Sequence, residues 1–164
     1  MKNQFDMLMS MPGGLAGVSN LIKEFHTRNI SVMLPYNPWD VGTASPPLSN
    51  SNMIAQIWKQ IDADGFFGDT MEGIAYHFFN RSVALDHPIV LEPELGVHDG
   101  RLEMLQWNVM SWAYWNYKYE PLISKYKWLV QRHKPSICDR WATNRTDDIQ
   151  HAFFNFISYT SWYL

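Results

Sequence analysis

The sequence predicts an α/β fold with a parallel sheet, arranged as a partial (β/α)8 TIM barrel. Three stretches carry that reading: ISVMLPYNPWD (Ile30 to Asp40), ADGFFGDTM (Ala63 to Met71) and HPIVLEPEL (His87 to Leu95). Each is a short apolar or aromatic run that ends in polar groups and carboxylates. Parallel α/β proteins place apolar strand bodies in the core and chemistry at the strands' carboxyl ends. Amphipathic stretches of crossover length separate the three runs, as parallel strands require.

The elements follow in order. Leu15, Val18, Leu21, Ile22 and Phe25 recur at helical spacing after the turn signal Pro12-Gly13-Gly14, so residues 15–28 are expected as a helix feeding a strand over Ser31 to Pro35. A polar, proline-bearing loop is expected over Gly42 to Asn52, then a short helix over Met53 to Ile61 with Ile54, Ile57 and Trp58 on its apolar face. The next strand is Asp64 to Asp69, the next helix Glu72 to Val83, and the third strand Pro88 to Glu92. Beyond Gly100, Leu102 to Trp107 reads as a fourth strand, Val109 to Tyr119 as an aromatic-rich helix or lid, and Lys127 to Arg132 as a fifth strand. A last helix spans Asp147 to Ser158, its acids suited to a helix N-terminus. A full eightfold barrel usually needs about 200–250 residues, whereas the chain has 164. Residues 1–164 are therefore expected to be one truncated barrel domain, with barrel segments or an adjacent domain in a longer protein.

Composition narrows the function classes. The formal charge is −3 and no Lys/Arg run occurs, so nucleic acid is not an expected partner. No stretch approaches the roughly 20 apolar residues of a membrane span, and a membrane partner is not expected either. Cys138 is the single cysteine, read as a structural thiol. The histidines show no HxxxH or HExxH spacing, so neither a metal nor another cofactor is expected. Sequons at Asn29, Asn80 and Asn144 permit a secreted or lumenal location without establishing one, and no signal peptide is recognised. Aromatic residues make up 15% of the chain, including 8 Trp, and several adjoin polar residues. Flat rings beside hydrogen-bonding groups suit sugar clefts, as they equally suit core and interface anchors.

Carboxylates supply the candidate chemistry. Asp69 ends the second strand, where it can act on a substrate or cap the following helix; Asp64 opens that strand and carries the same two readings. Glu92 and Glu94 lie two residues apart on one face of the third strand, and either can serve as an acid or pair with Arg132, Arg140 or Arg145. Carboxylates on adjacent barrel strands can stand roughly 5 Å apart, the separation that retaining glycosidases use. Tyr36, Asn37, Trp39 and Asp40 follow the first strand, Gln106 and Trp107 end the fourth, and Arg132 and His133 end the fifth. These residue types offer hydrogen bonds to sugar hydroxyls and a stacking face, although Asn37 before Pro38 is also a turn former.

DGFFGDTMEGI, followed one strand later by IVLEPEL, resembles the α-amylase-like superfamily of glycoside hydrolases and the related α-galactosidase-type barrels. That resemblance implies Asp69 as nucleophile and Glu92 or Glu94 as acid/base. The superfamily's arginine two residues before the nucleophile is replaced here by Phe67. From ISVMLPYNPWDVGT through KWLVQRH to the final AFFN, the chain is similar to uncharacterised glycosidase-like barrel proteins. The expectation is a glycoside hydrolase acting on O-glycosidic bonds of a carbohydrate or glycoconjugate. The alternative is a non-catalytic carbohydrate-binding or structural relic of such a barrel.

Overall fold

A computed structural model describes residues 4–39, 47–95, 102–114, 128–139, 146–154 and 158–161. The chain is mixed α/β and divides into two compact units, one of Met1–Asp69 with Ala75–Leu91 and one of Thr70–Ile74 with Glu92–Leu164.

In the first unit, helix α1 (Gln4–Met9) leads to α2 (Gly14–His26) through the Pro12-Gly13-Gly14 turn, whose glycines both take positive φ. Helix α2 buries Val18 and Ile22, two of the residues whose spacing predicts it, while Leu21 stays exposed. It ends where Asn29 turns left-handed and the Ile30 amide donates back to the Phe25 carbonyl, a use of Asn common at helix ends. Strand β1 (Met33–Tyr36) follows. Helix α3 (Pro47–Ile61) begins earlier than its apolar periodicity suggests. Part of the expected Gly42 to Asn52 loop is thus helical, because Pro47 occupies the first turn, where no amide donor is needed. Buried Ile54, Ala55, Ile57, Trp58 and Ile61 form its inner face.

Strand β2 (Gly65–Gly68) pairs parallel to β1 with Met33 opposite Gly65 and Tyr36 opposite Gly68. Helix α4 (Tyr76–Ala84) starts four residues later than the sequence suggests and buries Phe78 and Ser82. Strand β3 (Val90–Pro93) completes a parallel three-stranded sheet of order β1-β2-β3, so the expected parallel arrangement of the first three strands is found. The Val90 amide donates to the Asp64 carbonyl at 2.8 Å.

Side chains fasten these elements together. The Trp58 indole donates to the Gly65 carbonyl, and the Lys59 ammonium to the Leu85 carbonyl. Ser82 Oγ donates to the Phe79 carbonyl and accepts from the Ile89 amide. Tyr36, Phe66 and Phe78 form a three-ring cluster with centroids 5.3 to 5.7 Å apart. Burying each such side chain stabilises the fold by roughly 1.5–3 kcal/mol.

The second unit departs from the sequence reading. Leu102–Gln106 is a 3-10 helix, not a strand; the Trp107 and Asn108 amides both return to the Met104 carbonyl, which winds the segment. Met110–Tyr114 is strand β4, not part of a helix. The reason is visible in MSWAY, where Met110, Trp112 and Tyr114 alternate with Ser111 and Ala113 at the period of a strand. The expected strand over Lys127 to Arg132 is displaced: residues 128–129 are helical, 131–132 turn, and β5 runs from Lys134 to Asp139. Pro135 hides this strand, since proline argues against a central position unless the ladder is irregular. The β4–β5 register shifts between Ser111 and Tyr114, right beside the Ser111–Pro135 pair. Helix α5 (Thr146–Phe154) and strand β6 (Ser158–Ser161) follow, and β4, β5 and β6 form a second parallel sheet in that order.

Gly65 yields a test of backbone spacing. A methyl group added there would lie 2.5 Å from the Val90 carbonyl oxygen, whereas one added at Gly73 would meet the Met104 sulfur at 2.6 Å. A backbone carbonyl in a strand cannot yield, but a methionine side chain can rotate away. Gly65→Ala is expected to destabilise the chain by about 1–3 kcal/mol in urea unfolding, with Gly73→Ala costing clearly less. Equal losses would contradict the tight approach of β2 and β3.

Candidate functional site

The order and parallel pairing of β1, β2 and β3 bring their carboxyl ends to one edge of the sheet. Asn37 and Trp39 follow β1, Asp69 follows β2, and Glu92 and Glu94 belong to the end of β3 and the turn beyond it. Asp64 sits at the other end, immediately before β2.

Glu92 is the chemically distinctive member. Its side chain belongs to β3 and is only 9% exposed. Burial raises its pKa above the ordinary 4.5, and no hydrogen bond or ion pair offsets that effect among the described residues. Desolvation penalises the charged form, so a carboxyl group in this setting holds its proton to higher pH than a free one.

Glu94 is equally buried but differently employed. Its carboxylate accepts the Thr70 amide at 2.5 Å, while the Leu95 amide donates to the Met71 carbonyl. The turn after β3 and the stretch after Asp69 are thereby tied within the second unit. Asp69 is partly buried, and its backbone amide continues the β1–β2 ladder by donating to the Tyr36 carbonyl at 2.9 Å.

Asp64 works as a brace. Its Oδ2 accepts the Val32 amide at 2.6 Å and lies 2.8 Å from His26 Nε2, with Asp62 3.7 Å from the other ring nitrogen. These contacts hold the end of α2 and the approach to β1 against the start of β2, at the sheet edge away from the strands' carboxyl ends.

The residues after β1 divide by exposure. Tyr36 is 3% exposed within the aromatic cluster, and its hydroxyl accepts the Asn50 side-chain amide at 2.8 Å. Burial pushes its pKa up, with the Asn50 bond acting the other way. Tyr36 is thus placed as a core anchor. Asn37 is fixed through its backbone: its amide donates to Gln4 Oε1 and its carbonyl accepts from Gln4 Nε2. Trp39 is 61% exposed and free to stack. Asp40 lies outside the described residues.

In the second unit Gln106 and Arg132 are exposed, while the Trp107 indole donates to the Ile74 carbonyl. His133 is buried, with Nδ1 3.3 Å from the Asn108 carbonyl oxygen. Asn108, absent from the sequence-based candidates, organises this region. Its Oδ1 accepts the Ile74 amide, and its Nδ2 donates to the carbonyls of Ile74 and Met104. An asparagine before a strand has no sequence signal for such a role; only burial identifies it. Gln4, His26 and Asn50, all in helices, likewise carry no sequence signal for their contacts with Asn37, Asp64 and Tyr36.

Among the described residues no group of three or more His, Cys, Asp or Glu side chains is arranged to hold a metal ion. No described helix is long and apolar enough to cross a membrane. A cavity of about 500 Å³ in the first unit is lined mainly by apolar groups, including Phe5, Met7, Leu8, Met11, Leu34 and Trp58. It holds none of the carboxylates discussed above. No protein-family model matches the sequence, and no curated protein matches it either.

The raised Glu92 pKa gives a signed prediction. The folded chain keeps a proton that the unfolded chain releases, so above about pH 4.5 the unfolded state binds fewer protons and stability declines as pH rises through the folded pKa. Below the unfolded value both states are protonated and the penalty vanishes. Glu92→Gln removes the titration, so its stability relative to the wild type should increase as pH is raised from about 4 to about 8 in paired thermal unfolding. A difference independent of pH would show that Glu92 is not held neutral.

Proposed function

We propose that the chain is part of a (β/α)8 TIM-barrel glycoside hydrolase whose catalytic acid is Glu92. The observation that carries this reading is a buried carboxyl group, without a partner among the described residues, at the carboxyl end of a parallel strand. Cleavage of an O-glycosidic bond needs a proton on the departing oxygen, and an acid donates it well only if its pKa is raised toward the working pH. Desolvation moves the Glu92 pKa in that direction.

Asp69, at the end of the neighbouring strand, is the nucleophile that the resemblance to α-amylase-like barrels implies. The Glu92 proton goes to the glycosidic oxygen as the bond from the anomeric carbon breaks, and an Asp69 carboxylate oxygen bonds to that carbon to form a glycosyl ester. The Glu92 carboxylate then takes a proton from water, whose oxygen displaces Asp69 and releases the sugar. The substrate class is a carbohydrate or glycoconjugate.

Exposed Trp39 favours a second reading, a carbohydrate-binding domain without turnover. An indole 61% exposed beside the strand end offers a flat apolar face to sugar C–H groups.

Leaving-group dependence separates the two. On a panel of glycosides, with each substitution made in the complete barrel protein, Glu92→Gln should lower kcat by about 10²–10⁴-fold for alkyl aglycones that need protonation, and far less for 4-nitrophenyl aglycones that do not. Asp69→Asn should abolish turnover of both kinds while leaving sugar binding within a few fold. Absence of turnover in the wild type, with binding lost in Trp39→Ala, would instead establish the binding domain. Hydrolysis unchanged in both carboxylate variants would remove them from the mechanism.

A further inference from the structure

We infer that Glu94 is a positioning residue, which locks Thr70 in a left-handed backbone conformation and so fixes the chain that carries Asp69. The inference rests on the glycoside hydrolase reading for its catalytic consequence, but its structural half stands alone. Three observations converge on the turn after β2. Thr70 has φ of 58°, a conformation that a β-branched side chain rarely adopts. Its amide donates to the Glu94 carboxylate at 2.5 Å. One residue further along, the Met71 carbonyl accepts the Leu95 amide at 3.0 Å.

A left-handed threonine is strained and persists only where surrounding contacts overdetermine it. The carboxylate supplies one such contact, since a hydrogen bond to a charged acceptor is stronger than one between neutral groups. Glu92 and Glu94 therefore have different duties two residues apart. Glu92 lacks any partner among the described residues, as suits a proton donor, whereas Glu94 is committed to the backbone next to Asp69. This assignment separates two glutamates that the sequence leaves equivalent.

Amide exchange tests the inference without any substrate. In Glu94→Ala, exchange of the Thr70 amide should accelerate by about tenfold or more, the loss expected for a charged acceptor, while amides in α2 keep their protection. Should that variant fail to fold, wild type and Glu94→Gln suffice. The Thr70 amide proton resonance should move with pH in the wild type, as the carboxylate it donates to becomes protonated, and stop moving in Glu94→Gln. A Thr70 amide that neither follows pH in the wild type nor exchanges faster in Glu94→Ala overturns the inference.

The catalytic half is read on alkyl glycosides, whose aglycones need protonation and whose pH–rate profile therefore reports the acid. Glu94→Ala should lower kcat with KM nearly unchanged, Glu94→Gln should recover much of the loss, and both should retain the limb of the pH–rate profile assigned to Glu92. Disappearance of that limb in Glu94→Gln would make Glu94 the acid and overturn the assignment. If the wild type hydrolyses none of the glycosides, the hydrolase reading fails while the exchange result still decides whether Glu94 holds Thr70.

Discussion

The first unit depends on a ring cluster that must be apolar and yet contains a hydroxyl. Tyr36 of β1 meets Phe66 of β2 edge-on with ring planes 78° apart, and both meet Phe78 of α4. Such geometry aligns the positive edge of one ring with the negative face of another, beyond the gain from burial alone. The Tyr36 hydroxyl would be a liability in this setting, but Asn50 of α3 donates to it. Two strands and two helices thus share one contact.

How much of this was legible depended on period and on proline. The β1, β2 and β3 runs are dense in apolar residues and bounded by turn signals, so their existence, order and parallel pairing could be read directly. MSWAY was obscured because its large residues are aromatic and sit in a longer aromatic stretch, which masks a period of two. Pro135 concealed β5 because the irregular ladder that admits it cannot be seen in a sequence. The candidate carboxylates were also legible as strand-end acids, but their environments were not. Nothing in LEPEL distinguishes a glutamate without a partner among the described residues from one bound to an amide more than twenty positions away. Tyr36 shows the converse problem, since an aromatic at a strand end points into the core or the cleft according to a single residue of register.

Glu92 also illustrates where local rules and the fold disagree. A buried carboxyl without a partner lowers stability, and a chain selected for stability alone would place an apolar residue there. Sites that break such a rule are where function is expected to be found. Asp64 is the useful contrast: it too is an acid beside β2, but it accepts a backbone amide and approaches an imidazole, and so behaves as part of the scaffold.

Gln4 has a consequence of another kind. Its primary amide meets both the amide and the carbonyl of Asn37, as a neighbouring strand would, just past the strand that is outermost among the described residues of the sheet. Pro35, two residues earlier, has no N–H to offer at all. An open strand edge is a template on which a second chain can polymerise. Here a single glutamine side chain imitates the next strand at one residue but cannot itself be extended. At Asn37 the outward backbone groups are already taken, which is a local form of edge protection.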